Sequence, residues 1–158
     1  MWVRPDGPGP NNDSFGNAIL LQNIDTTHNA VGLHWRATDG RFMFDFGDVH
    51  TEIITSTHTF PVGTFYHIAA MYDGATYSLF VNGNLEGSFA EKKTVPYSSS
   101  GWTFGSGPPV DFAGGSIRTW NGVIDEAQAF NRPLSSSELL SIVNAAGAGV
   151  CKDGIVGG

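Results

Sequence analysis

The sequence predicts an all-β fold, a two-sheet antiparallel β-sandwich finished by one short C-terminal helix. Short apolar runs alternate with turn clusters from end to end, as strands and their connections do. Gly occurs 21 times and Pro 8 times among the 158 residues, with Ser, Thr and Asn gathered between the runs. Helical spacing appears only once, near the C-terminus.

Taken in order, "WVRP" reads as a strand and is followed by "DGPGPNNDSFGN", where Pro and Gly forbid regular structure. "AILLQN" and "VGLHWRAT" are strands joined by polar "IDTTHNA", and Asp39-Gly40 turns the second of them into "RFMFDF" as a hairpin. "TEIITST" and "FYHIAAMYD" follow. "YSLFVNGNLEGSF" is a pair of strands with Asn82-Gly83 at the turn, where positive φ is favoured. "EKKTVPYSSSG" is a loop, "WTFG" a short strand and "SGPPVDFAGGSIRTW" a long irregular excursion.

"GVIDEAQAF" is expected as the last strand, running to Phe130. A helix is expected over Ser135–Ala146, packed through Leu139, Leu140 and Val143. Ser135 with Glu138 makes its capping box and Gly147 its stop. Residues 1–147 then form one domain, and 148–158, which lack periodicity, a flexible tail or linker.

The net charge is -7 and no basic cluster exceeds Lys92-Lys93, so the chain has no electrostatic footprint for nucleic acid. No apolar run approaches a membrane span. Cys151 is the only cysteine, which excludes an intradomain disulfide and a cysteine zinc site. The histidines show no metal-ligand spacing, and His67, inside "FYHIAAMY", is expected to be a hydrogen-bonded sheet residue. Alternation leaves apolar residues on both faces around Asp125, so that carboxylate is expected to be buried with at least two partners, from a metal, backbone amides or an arginine.

"FYHIAAMYDGATYSLFVNGNLEGSF" followed by "WNGVIDEAQAFNRPLSSSELLSIVNAAG" resembles the laminin-G-like, concanavalin A-like lectin jelly rolls of bacterial extracellular proteins. The likeness runs from Phe65 to Gly147 and extends loosely to "WVRPDG". It implies a jelly-roll sandwich. The family pattern carries a further strand ahead of "WVRP" for which this chain has no counterpart. In relatives the Asp of Ile-Asp-Glu can hold a structural calcium with backbone oxygens, which makes Asp125 the candidate metal ligand.

Glycosidases of this fold set alternating carboxylates on one strand. The nearest candidates are Asp45, Asp48 and Glu52 in "DFGDVHTE", whose spacing breaks across Gly47, so they are expected as loop acids in water. Asp125 and Glu126 are adjacent and also fail the paired requirement. The chain is therefore expected to be no enzyme, with a glycosidase-type or enzyme-appended domain, or a structural spacer, as alternatives.

Sugars stack on aromatic rings, and Trp35, Trp102 and Trp120 are the candidates, with His34, Tyr97 and Phe112 beside them. Trp102 is expected in the core. The Ser106–Trp120 loop, with Phe112 and Arg118, and Tyr97 in the neighbouring loop are expected to form the rim of a binding site centred on Trp120, with backbone amides at Gly114 and Gly115. The expectation is a non-catalytic binding module of a larger secreted or cell-surface protein, for a glycan first and an extracellular protein ligand second.

Overall fold

The computed structural model describes residues 1–10, 16–23, 29–46, 52–92, 101–106 and 119–145. In chain order the described elements are β1 (Trp2–Pro5), β2 (Asn17–Asn23), β3 (Asn29–Arg36), β4 (Arg41–Phe46), β5 (Glu52–Thr55), β6 (Tyr66–Tyr72), β7 (Thr76–Val81), β8 (Asn84–Ala90), β9 (Trp102–Phe104), β10 (Gly122–Asp125) and the helix α1 (Ser136–Asn144). Every strand pairing is antiparallel. One five-stranded sheet runs β10-β1-β6-β7-β8 and the other β5-β4-β3-β2-β9, the two-sheet sandwich that the alternating runs predict.

The turns follow their residues. Gly40 has φ 67° at the end of the β3–β4 turn, and Asn82 and Gly83 have φ 50° and 79° in the β7–β8 turn. Both central positions of the second turn thus take the left-handed conformation that Asn-Gly tolerates best.

The core lies between the sheets. Leu33, Trp35, Phe42, Phe44, Phe46 and Ile54 come from one side, and Val3, Tyr66, Ile68, Tyr77, Leu79 and Val81 from the other. Burying each such side chain contributes about 1.5–3 kcal/mol. Rings tie the layers together: Phe46 stacks on Tyr77, and Phe42 meets Tyr66 edge-on at 5.8 Å between centroids.

The last strand ends earlier than expected. β10 stops at Asp125, because Glu126 takes φ 47° and its N–H is captured by Asp125 Oδ1 at 2.8 Å. A left-handed residue breaks the extended backbone, so 126–130 leave the sheet and Phe130 stands exposed.

The helix keeps its capping box. Ser135 Oγ accepts from Glu138 N, and the Glu138 carboxylate accepts from Ser135 N. It ends at Asn144 with Ala145 as C-cap, short of the expected Ala146, and Gly147 lies outside the described residues. Leu139 is buried and Val143 half-buried, whereas Leu140 is largely exposed, although its Cδ2 lies close over Gly83. The segment leading into α1 is moored to the first sheet through Leu134 N–H, which donates to Met71 Sδ at 3.3 Å.

Candidate functional site

Trp120 is not a surface residue. It is 8% exposed, belongs to the core cluster, and donates its backbone N–H to Gly105 O at 2.8 Å. The bridge Ser106↔Thr119 closes the base of the loop just ahead of it. That closure swings Trp120 under the sheets, so it cannot offer a face to a sugar. Trp35 is also core, with its indole N–H donating to Phe60 O at 3.2 Å.

Trp102 departs from expectation in the opposite direction. It is 48% exposed, and Phe104, two residues on, is 51% exposed. Alternation puts both rings on one side of β9, the side that Phe104 shares with its register partner Leu20 and hence with the core. β9 is the end strand of its sheet, so its rings reach past the cover of the opposite sheet. The apolar pattern of "WTF" is the pattern of a core strand; only the strand order reveals that it sits at a margin.

The main chain of β9 is asymmetric. Gly105 N–H donates to Ile19 O at 2.9 Å in the ladder to β2. Bonding pairs alternate in an antiparallel ladder, so Thr103 is the next β9 residue to bond β2, and the amides of Trp102 and Phe104 point away from β2, to the side where no described strand lies. The site therefore joins two half-exposed rings with adjacent backbone donors and acceptors. Tyr97, Phe112, Arg118, Gly114 and Gly115 lie outside the described residues, in the segments leading into and out of β9.

On the face of the second sheet turned away from the core, His34 and Asp45 form a buried pair. Nε2 of His34 lies 2.8 Å from Asp45 Oδ1, and the residues are 2% and 3% exposed. Asp45 is thus a strand residue with a partner rather than a loop acid in water. In register it stands opposite Gly32, and a Cβ there would collide with Asp45 Oδ1 and His34 Nε2. Glycine inside a strand is the one local signal that could have marked this close approach, and the sequence reading passed over it. Glu52 opens β5 opposite Phe46, one step out of Asp45's row, and Asp48 lies outside the described residues.

Asp125 is exposed rather than buried, and its carboxylate accepts from the N–H of Glu126. The arginines that might have met it are engaged elsewhere, Arg4 with Asp6 and Arg36 with Asp39. Among the described residues no group of three or more His, Cys, Asp or Glu is placed to hold a metal. His67 packs edge-on against Trp2 at 5.4 Å, and its Nδ1 is buried without a hydrogen bond. Burial pushes its imidazole down to about 4, and the hydrogen bonds expected of this sheet residue run through its main chain, N–H to Asn82 Oδ1 and C=O from Asn82 N–H, both at 2.8 Å. No helix among the described residues is long and apolar enough to cross a membrane.

The fold is shared with solved structures of low sequence identity. A native heptameric SAP-like pentraxin from Limulus polyphemus matches with a TM-score of 0.63 and 15% identity, over 90% of this chain and 66% of that one. A putative carbohydrate binding protein from Bacteroides ovatus matches with a TM-score of 0.64 and 16% identity, over 88% of this chain and 38% of that one. Domain 4 of AbnA, a GH43 extracellular arabinanase from Geobacillus stearothermophilus solved with arabinotriose, matches with a TM-score of 0.57 and 15% identity, over 90% of this chain and 63% of that one. The chain thus spans less than two thirds of the length of each of the three. No curated protein matches it significantly. The family model described as the concanavalin A-like lectin/glucanases superfamily matches residues 1–140, and the chain belongs to that family.

Proposed function

We propose that this domain is a non-catalytic carbohydrate-binding module of a larger secreted or cell-surface protein, with the margin of the sandwich at β9 as its binding surface. One observation carries the reading: Trp102 and Phe104 stand half-exposed on the same side of an end strand, beside backbone groups directed outward. An aromatic face takes the apolar face of a sugar, and neighbouring amides take its hydroxyls. A putative carbohydrate binding protein and an arabinanase domain solved with arabinotriose are among the proteins of the same fold, which supports a glycan as ligand. Tyr97, Phe112 and Arg118 remain the proposed rim, because their segments adjoin the two ends of β9.

A glycoside hydrolase of this fold is the competing reading. It would need an acid pair about 5–10 Å apart, and the one strand acid of the candidate cluster with a described side chain, Asp45, is buried against His34. A calcium at Asp125 stands as a separate proposal. Calcium takes about six to eight oxygens, so the remaining ligands would have to include main-chain carbonyls. Melting the domain in calcium and in chelator checks this, and Asp125→Ala should erase any difference between the two.

A glycan array probed with the wild-type domain and with Trp102→Ala tests the central reading. Signal on a defined glycan class that Trp102→Ala loses, with melting unchanged within a few degrees, is the expected result. Equal signal from both proteins would remove β9 from the reading.

A further inference from the structure

The geometry of β9 constrains the ligand beyond its being a glycan. Residues i and i+2 of an antiparallel strand are about 6.8 Å apart along the strand. Two rings at that spacing, Trp102 and Phe104, cannot both stack on a single sugar ring, so they call for successive units of one chain. The rings are exposed to nearly the same degree, 48% and 51%, so neither is the lid or the floor of a closed pocket.

The outward amides of Trp102 and Phe104 repeat with the same period, because the ladder to β2 uses Thr103 and Gly105 instead. Each ring thus has its own N–H and C=O beside it. β9 is also the end strand of its sheet, so among the described strands none lies beyond it to close a pocket around a chain terminus. A run of bonded sugars can lie along the margin, one unit per ring.

Charge narrows the class further. The chain carries a net charge of -7, and a field of that sign opposes the approach of a polyanion. No Lys or Arg lies within Gly101–Ser106, the described segment that contains β9, and Arg118 of the proposed rim is a single cation against that field. Resting on the carbohydrate-binding reading, we infer that β9 recognises an internal stretch of a neutral, linear oligosaccharide of at least two units, rather than a terminal monosaccharide or an acidic glycan.

Isothermal titration of the whole chain with graded ladders tests this. The probes are xylo-, cello- and arabino-oligosaccharides of one to six units, with oligogalacturonates of the same lengths. In one neutral ladder, affinity should rise about tenfold or more from the monosaccharide to the trisaccharide and then level off. Trp102→Ala and Phe104→Ala should each cancel most of that rise, while circular dichroism and melting stay as in the wild type. Monosaccharide binding as tight as trisaccharide binding, or a preference for the galacturonates, overturns the inference and leaves the carbohydrate-binding reading standing. Binding to no ladder overturns both. A length-dependent rise that neither substitution affects places the glycan elsewhere on the domain and also overturns the inference.

Discussion

Two tryptophans exchange roles between the sequence and the structure, and the cause is visible at single residues. Trp120 follows a Gly-rich loop and looks like a loop-borne ring, but the Ser106↔Thr119 bridge and its bond to Gly105 draw it inside. Trp120→Ala should therefore cost about 3–5 kcal/mol in urea unfolding, where a surface platform would lose almost nothing. Trp102 sits in an apolar strand and looks like core, yet strand order leaves it at a margin. Local pattern records the period of a strand but not its place in a sheet. Gly32 was passed over, although a glycine within the strand "VGLHWR" is itself a mark of close approach. What could not be seen was that Asp45 and His34 fill that space. Gly32→Ala should destabilise the domain by about 1–3 kcal/mol through overpacking against the pair, again measured by urea unfolding.

At the scale of elements, the strands, the two glycine turns and the capped helix were legible because each rests on local chemistry. Ser135→Ala should lower stability by about 0.5–2 kcal/mol, as loss of an N-cap does, measured by chemical denaturation. The end of β10 was not legible. Nothing in "GVIDEAQAF" forbids further extension; the stop comes from Glu126 in the left-handed region, with Asp125 holding its N–H. Register explains why Asp125 faces solvent instead of being buried between layers: Ile124 stands opposite Val3 on the core side, so Asp125, opposite Trp2, falls on the outer face. β9 was legible as a strand, and its margin position followed only once its pairing with β2 was fixed.

At the scale of the whole molecule, one margin of the sandwich is sealed and the other is where the binding surface is proposed. On the sealed side Thr57 N–H donates to Glu86 O, and a Cβ on Gly87 would press on Ile54. On the other side β9 and β10 end their sheets, and Gly105 lies near Ile124 and Trp120. Acid should loosen this molecule in two windows. His67 has its imidazole lowered from 6.5 to about 4 by burial, so the neutral ring's contribution is present above pH 6.5 and is lost as pH falls towards 4. Glu138 is held at about 2 instead of 4.5 by the Arg132 guanidinium and by Ser135, so its contribution is lost between about pH 4.5 and 2. Melting followed against pH should show both losses, and His67→Phe should flatten the upper one alone. Binding of a glycan along β9 can be read residue by residue from amide chemical-shift mapping with the glycan found on the array. The largest shifts should fall on Trp102, Thr103, Phe104 and Gly105 and on the Trp102 indole N–H. Shifts centred on Asp125 and the start of α1, with β9 unmoved, would contradict it.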